Sequence, residues 1–120
     1  MSPAAEQWRI EECRVGDRSP ILEFLRGLSG RDSEEAEALL LLLMRRGNQV
    51  REPRSKALGE GLFELRGRRV RLFYMFLPGR RVMLLDGVIK KTDKIAVSVL
   101  TRLKQCQREV LRRDREAGTL

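Results

Sequence analysis

The chain has 120 residues, with 25 Lys and Arg against 17 Asp and Glu, which gives a formal net charge of +8. This length is typical of a single domain, expected over residues 1–120, and the positive charge favours nucleic acid as a partner ahead of an anionic membrane. The sequence contains no histidine, which excludes a catalytic triad, an imidazole base and a histidine-ligated metal site.

Two elements are predicted at the start of the chain. Residues 8–15 alternate apolar and polar side chains, and this period of two is typical of a half-buried strand. Ser19 and Pro20 then open an apolar helical pattern, because serine is a favoured N-cap and proline is tolerated in the first turn. Gly27 and Gly30 are expected to end this helix.

A second helix is predicted from Asp32 or Ser33 to Arg46, before Gly47. Acidic residues in its first turn suit the positive end of the helix dipole, and the glycine favours a stop. Its leucines face more than one side, so we expect the helix to be well buried.

The period changes at Gly61, where three β-rich runs begin. They cover residues 62–66, 70–77 and 81–90, and short turns separate them, which predicts a three-stranded antiparallel meander. The middle run is apolar at nearly every position except Arg71, so we expect it to be central and covered on both faces.

The last predicted element is a basic amphipathic helix, since apolar residues follow helical spacing from Ile95 to Leu111 with arginine and lysine between them. The predicted order is therefore β-α-α-β-β-β-α. Two N-terminal helices and a C-terminal helix would pack against one face of a small antiparallel sheet, which is an α+β fold.

The positive charge is concentrated in one part of the chain. Residues 51–94 carry 12 basic and 5 acidic side chains, a net charge of +7, whereas residues 1–50 carry a net charge of −2. Such a concentration indicates a binding face rather than a uniformly basic surface.

Three residues of that segment are candidates for a site. Period-two counting places Arg66 on the outward face of its strand, and a short hairpin would bring it close to Arg71 on the next strand. On the following strand, Asp86 alternates with Leu84 and Val88. Two arginines and a carboxylate within reach of one another could bind a phosphate diester, neutralise its developing charge and accept a proton.

Several polar residues of this segment also have a purely structural interpretation, which the sequence leaves open. Asp86 could form a cross-strand ion pair of small energy. Tyr74 could stack on a base or act as an acid, but its apolar neighbours favour a core position. Lys90 and Lys91 could serve only to keep a strand end solvated.

The remaining features exclude several classes of protein. Cys13 and Cys106 lie far apart without companion ligands, so neither a zinc site nor a disulfide framework is expected, and a reducing cytoplasm is the expected location. Residues 1–8 lack the apolar stretch of a signal peptide. The longest apolar run, residues 39–44, is too short to span a membrane.

Three strings of residues resemble a known family. They are Lys56-Ala-Leu-Gly-Glu-Gly-Leu-Phe-Glu-Leu-Arg66, Arg71-Leu-Phe-Tyr74 and Leu84-Leu-Asp-Gly-Val-Ile-Lys-Lys-Thr92. Together with the helix opening at Ser19, they resemble the RelE/HigB-type toxins of bacterial type II toxin–antitoxin systems, especially the phage-derived branch, over residues 8 to about 104. The resemblance implies a RelE-like fold, which agrees with the element order predicted above.

The resemblance also implies an activity and two partners. The activity is that of a ribosome-dependent endoribonuclease, which cleaves mRNA without a metal or cofactor by attack of the 2′-hydroxyl on the adjacent phosphate. Arg66 and Arg71 match arginines that bind this phosphate or stabilise the transition state. The basic residues expected to contact RNA are Lys56, Arg68, Arg69, Lys90 and Lys91. The partners are the ribosome with its mRNA and a helix-turn-helix antitoxin.

One position departs from the family pattern, since Asp86 stands where the family has histidine. The resemblance places a catalytic role there, and a carboxylate could act as base if its pKa were raised, but arginines nearby should lower that pKa. A catalytically weak or inactive relative that binds only RNA or its antitoxin is therefore an alternative. A gyrase-inhibiting toxin of the related ParE branch is a second alternative, which the lysine pair and the Arg71 string argue against.

Overall fold

The structure is a computed structural model that describes residues 7–92 and 94–118. Residues 1–6 lie outside the described residues, and they belong to the segment predicted to lack a signal peptide. Asp93, at the predicted start of the last helix, also lies outside them. The elements are β1 (Arg9–Glu12), α1 (Pro20–Arg26), α2 (Gly30–Arg46), a short 3₁₀ turn (Gly47–Gln49), β2 (Ser55–Gly59), β3 (Leu62–Arg66), β4 (Val70–Leu77), β5 (Arg81–Ile89) and α3 (Val97–Gly118).

The described strands form one five-stranded sheet in the order β1-β5-β4-β3-β2. Strands β2 to β5 form an antiparallel meander, and β1 pairs with β5 in parallel. The predicted α+β class is confirmed, but the predicted count of four strands is wrong because β2 was missed. Lys56 and Ala57 in the middle of β2 are both exposed, so this edge strand has no apolar alternation and depends on its backbone pairing with β3.

The sheet is covered on both faces, by α1 and α2 on one side and by α3 on the other. Leu72 and Tyr74 of β4 belong to the core under α1 and α2, whereas Phe73 and Met75 belong to the core under α3. The prediction that β4 is central and covered on both faces is confirmed. The prediction that all helices share one face is wrong, because both apolar faces of β4 require a cover.

The first helix begins and ends as its sequence predicts. The N–H of Leu22 donates to the Ser19 Oγ at 3.3 Å, and Pro20 is the first helical residue. Gly27 is the C-cap. The second helix begins at Gly30, two or three residues earlier than predicted.

The β3–β4 hairpin is held to α2 by the half-buried carboxylate of Glu35. Glu35 Oε1 accepts hydrogen bonds from the backbone N–H groups of Arg69 at 2.8 Å and Val70 at 2.5 Å. Burial works against the charge of Glu35, but hydrogen bonds from Val70, Arg69 and Arg68 hold its pKa below the usual value. Arg69 also binds Asp32 through Nε at 2.9 Å, so the hairpin turn has a fixed position on α2.

Strand β5 contains a β-bulge that changes which face its residues occupy. Phe73 pairs with Asp86 and Tyr74 pairs with Leu84, so Leu85 has no partner in the register. Leu84 consequently packs under α1 and α2, whereas Val88 packs against the core under α3. The prediction that Asp86 shares a face with both Leu84 and Val88 is wrong for Leu84, because the extra residue interrupts the period of two.

A three-way ion cluster ties the first strand to the last strand and the last helix. Arg81 of β5 donates from Nε to Glu11 of β1 at 2.6 Å and from Nη1 to Asp114 of α3 at 2.7 Å. The hydrogen bond from Arg81 is the main cause of a lowered pKa at Glu11. The cluster holds β1 in place beside β5.

Candidate functional site

A cleft of about 360 Å³ lies where β3, β4 and β5 meet the segment that leads into α3. One wall is polar, and in the described part of the chain it is formed by basic residues with a single carboxylate. These residues are Glu64, Arg66, Arg71, Lys90, Lys91 and Lys94. The apolar part of the lining, here called the apolar wall, includes Val88, Ile95 and Val99. The cleft therefore presents cationic groups next to a surface on which a flat apolar group can pack.

Arg71 is the most buried cation of the cleft. It lies on the central strand β4 and is 7% exposed. In the part of the chain that the structure describes, neither an ion pair nor a hydrogen bond joins its side chain to another residue. Since a buried guanidinium normally requires a partner, its charge is available to an anion that enters the cleft.

Arg66 lies directly opposite Arg71 in the register of the hairpin. The turn that joins β3 and β4 is closed by a hydrogen bond from Gly67 N–H to the Val70 carbonyl at 2.9 Å. The convergence of the two guanidiniums on one face, predicted from the short hairpin, is confirmed. Their roles stay predictions.

A carboxylate accompanies this pair inside the cleft. Glu64 Oε1 lies 3.2 Å from Arg66 Nε, and Glu64 is only 6% exposed. Arg66 Nε is fully buried and has no hydrogen bond of good geometry within the described residues. The contact is therefore an ion pair without a well-aligned hydrogen bond.

Asp86 lines a different cavity from the two arginines. This second cavity has a volume of about 530 Å³, and Arg102, Cys106 and Glu23 also line it. Asp86 Oδ2 lies 3.4 Å from Arg102 Nη2, and Oδ1 accepts a hydrogen bond from its neighbour Gly87 at 2.8 Å. Asp86 therefore does not line the cleft with Arg66 and Arg71, because it lies one row further along the sheet, where it pairs with Phe73, while Val88 is the β5 residue opposite Arg71.

The pKa of Asp86 also differs from the expectation. Burial raises the pKa of this carboxyl, and the hydrogen bond from Gly87 and the charge of Arg102 offset this effect only in part. The expectation of a lowered pKa assumed that arginines lie in direct contact with the Asp86 carboxylate. The only arginine in ion-pair contact among the described residues is Arg102, whose side chain is 60% exposed.

We expect Asp86→Asn to raise the free energy of unfolding at neutral pH. A raised pKa means that the folded protein holds this proton more tightly than the unfolded chain, so the wild type loses stability as the pH rises through the folded-state pKa. The advantage of the variant should be absent below the ordinary pKa of aspartate and should grow above it. Urea unfolding at a series of pH values measures this difference, and an advantage that is largest in acid would contradict it.

The five residues predicted to contact RNA occupy different surroundings. Lys90 and Lys91 line the cleft. Arg68 is exposed in a shallow depression beside it, which shares Arg66 and Arg71 with the cleft. Lys56 is exposed on β2, in register with Glu64. Arg69 turns to α2, where it binds Asp32.

Two cleft residues were missed in the sequence. Glu64 shares a face with Arg66 by the period of two, so the strand pattern could have identified it. Lys94 belongs to the same basic run as Lys90 and Lys91. Both were visible in the sequence, but only the cleft shows that they belong with Arg71.

Residues 7–92 and 94–118 contain neither a metal-binding cluster nor a membrane-spanning helix. No group of three or more Cys, Asp or Glu side chains is placed to hold a metal ion in these ranges. No helix of these ranges is long and apolar enough to cross a membrane.

The chain also matches a known protein family. The sequence profile of the family described as "Phage derived protein Gp49-like (DUF891)" matches residues 23–107. The match covers well over half of the 120 residues and runs from α1 into α3. It therefore includes β3, β4 and β5, which carry Arg66, Arg71 and Asp86. Among curated proteins, none matches the chain.

Proposed function

Because the chain belongs to the phage-derived Gp49-like family, which is toxin-like, we propose that it is the toxin of a type II toxin–antitoxin system and acts as a ribosome-dependent mRNA endonuclease. The observation that carries the proposal is the pair formed by Arg66 and the buried Arg71 at the polar wall of the cleft. Two guanidiniums on one surface match the geometry of a phosphate diester.

The chemistry follows from what such a pair does for a phosphate. In RNA cleavage by the 2′-hydroxyl, negative charge develops on the non-bridging oxygens of the phosphate under attack. Arg66 and Arg71 stabilise this charge without a metal ion. Lys90, Lys91 and Lys94 lie along the same wall, where they bind the flanking phosphates. The apolar wall accepts a base or a ribose.

Partners follow from the family and from the charge. A toxin–antitoxin family implies an antitoxin, and we propose a helix-turn-helix protein in that role. The net charge of +8 steers the protein toward the anionic ribosome. The mRNA in the decoding site would then enter the cleft.

A second candidate function is binding without cleavage. Asp86, which stands at the position of the family histidine, lines a cavity separate from that of Arg66 and Arg71. If no other group takes the proton of the 2′-hydroxyl, the cleft binds RNA and leaves it intact. This candidate predicts that the protein binds ribosomes and produces no new mRNA ends.

The proposal is tested in a translating bacterial extract, with mRNA 5′ ends mapped by primer extension. We expect the wild-type protein to produce new ends that require ribosomes, and to arrest growth when it is expressed. The double variant Arg66→Ala with Arg71→Ala should produce none. The matched control, Arg26→Ala with Arg31→Ala, removes the same charge from exposed positions on α1 and α2 and should behave as wild type.

Other outcomes would contradict the proposal in distinct ways. Ribosome binding without new ends would favour the binding-only relative. Inhibition of DNA supercoiling by gyrase, with intact mRNA, would favour the ParE branch. Equal cleavage by wild type and by the Arg66→Ala, Arg71→Ala double variant would show that the cleft is not the site.

A further inference from the structure

Among the residues that the structure describes, Glu64 is the one carboxylate that lines the arginine cleft, and the reaction proposed above requires a proton acceptor there. Glu64 lines the cleft, and its Oε1 is 3.2 Å from Arg66 Nε. We propose that Glu64 is the general base that takes the proton of the attacking 2′-hydroxyl. This assignment rests on the proposed function and adds a catalytic residue to it.

The register of the sheet places Glu64 one row deeper than the arginine pair. Glu64 pairs with Phe73, and Arg66 pairs with Arg71. The two rows lie about 7 Å apart, since alternate residues of one strand are separated by twice the rise per residue. A phosphate held between the two guanidiniums therefore has its ribose within reach of a carboxylate in the next row.

The groups around Glu64 leave its oxygens able to accept a proton. The charged side chains that the register places around it in the described residues are those of Lys56 on β2, Arg66 on its own strand, Arg71 on β4 and Asp86, which lies across Phe73 on β5. Arg66 Nε makes no well-aligned hydrogen bond in the described residues, so it does not lock the carboxylate.

The proposed cleavage step balances in atoms and in charge. Glu64 takes the proton as the 2′-oxygen forms its bond to phosphorus, and Arg66 and Arg71 stabilise the charge on the non-bridging oxygens. The bond from phosphorus to the 5′-oxygen breaks, and its electron pair stays with the 5′-oxygen, which takes a proton from water. The products are a 2′,3′-cyclic phosphate and a 5′-hydroxyl, and Glu64 returns its proton to solvent.

Asp86 is the competing carboxylate, and its placement argues against this role. Its Oδ2 faces Arg102 of α3 at 3.4 Å, in the second cavity. In the register, Asp86 pairs with Phe73 and so lies in the row of Glu64 but on β5, on the other side of β4, whereas the β5 residue in the row of Arg71 is Val88. Glu64 shares the cleft with both arginines, whereas Asp86 shares it with neither.

The test compares Glu64→Gln with wild type on ribosomes that carry mRNA. Glutamine keeps the shape of the side chain but cannot take the proton, so we expect a loss of cleavage rate of about 10²–10⁴-fold. The affinity for the same complex with a 2′-deoxy nucleotide at the cleavage position, which cannot react, should be equal or tighter. The rise of the wild-type rate with pH in the acidic range should disappear in Glu64→Gln.

Two further variants complete the experiment. Glu37→Gln makes the same change of charge at an exposed position of α2 and should cleave as wild type does. Glu64→Asp keeps a carboxylate but shortens the side chain, so it should keep part of the rate and the acidic pH dependence. This variant decides the question if Glu64→Gln does not fold, which thermal unfolding would reveal.

The outcomes that overturn the assignment are distinct from those that overturn the function. If wild type cleaves and Glu64→Gln cleaves equally well, the assignment is wrong and the function stands. The same holds if Asp86→Asn, and not Glu64→Gln, loses the acidic pH dependence. If Glu64→Gln loses affinity for the unreactive complex as much as it loses rate, Glu64 only shapes the cleft. If wild type does not cleave, both proposals are overturned.

Discussion

Replacement of Arg71 by methionine is expected to lower the rate of ribosome-dependent mRNA cleavage by about 10²–10³-fold, which is the usual cost of removing one donor that stabilises a developing oxyanion. Arg71 is buried on β4, opposite Arg66, and its side chain is free to bind a phosphate in the cleft. Primer extension on a defined mRNA measures the rate, and growth of cells that express the variant gives an independent readout.

Stability measurements separate this effect from misfolding. Methionine has a similar length and removes a buried charge that no described residue pairs with, so the free energy of unfolding should stay the same or rise. Arg71→Lys keeps the charge but loses the planar fork that binds two phosphate oxygens, and we expect an intermediate rate. Full activity in Arg71→Met would exclude Arg71 from the reaction. Loss of activity together with loss of stability would assign it a structural role.

Replacement of Gly47 by alanine is expected to destabilise the fold by about 3 kcal/mol or more, because two costs add at this position. Gly47 ends α2 with φ of 48° and ψ of −117°, a conformation that residues with a Cβ rarely adopt. An added Cβ would also lie 2.1 Å from Cε2 of Trp8. Trp8 has little freedom to withdraw, since its backbone N–H donates to the Met44 carbonyl at 2.8 Å and its ring packs against Phe76 with 5.4 Å between the ring centroids.

Gly27 offers a matched control for this prediction. It ends α1 with φ of −81° and ψ of −7°, which alanine adopts readily, and the nearest atom to an added Cβ is the Phe24 carbonyl oxygen at 3.5 Å. Gly27→Ala should therefore change the free energy of unfolding by less than about 0.5 kcal/mol. Urea unfolding of both variants measures the contrast. Equal effects would mean that backbone strain and the contact with Trp8 do not govern stability at Gly47.

Local rules predict the arginine pair because the hairpin that carries it is local. Only the turn at residues 67–69 separates β3 from β4, so the register follows from the turn, and Arg66 meets Arg71. The start of α1 is local in the same sense, since Ser19 caps a helix whose first residue is Pro20. Both features depend on residues close in the chain, which is where sequence patterns are informative.

The features that were missed depend on contacts between distant residues. Strand β2 has exposed residues at its centre and is stabilised by pairing with β3 rather than by its own pattern. The bulge at Leu85 allows neighbouring residues of β5 to pack into the cores on both faces of the sheet. A period of two along the sequence cannot reveal this bulge. The position of α3 on the second face follows from the apolar residues on both sides of β4.

The same distinction explains the two carboxylates. The resemblance to the toxin family directs attention to Asp86, because it replaces the family histidine in a linear motif. Glu64 lies beside Arg66 on β3, and its importance depends on the cleft that β4, β5 and the segment before α3 complete. A motif gives the positions of residues along the chain, whereas a cavity selects among them by tertiary contacts.

The parallel pairing of β1 with β5 has a consequence for the order in which the nascent chain acquires its structure. Glu11 and Arg81, which bind each other across this pair, are 70 residues apart, so β1 leaves the ribosome long before its partner strand is translated. Contacts of such separation form late, since the loop between them must first close. The walls of the cleft also come from β3 onward and include Ile95 and Val99. A translation product that stops before α3 would therefore carry the arginines but lack Val99, the part of the cleft lining that α3 supplies.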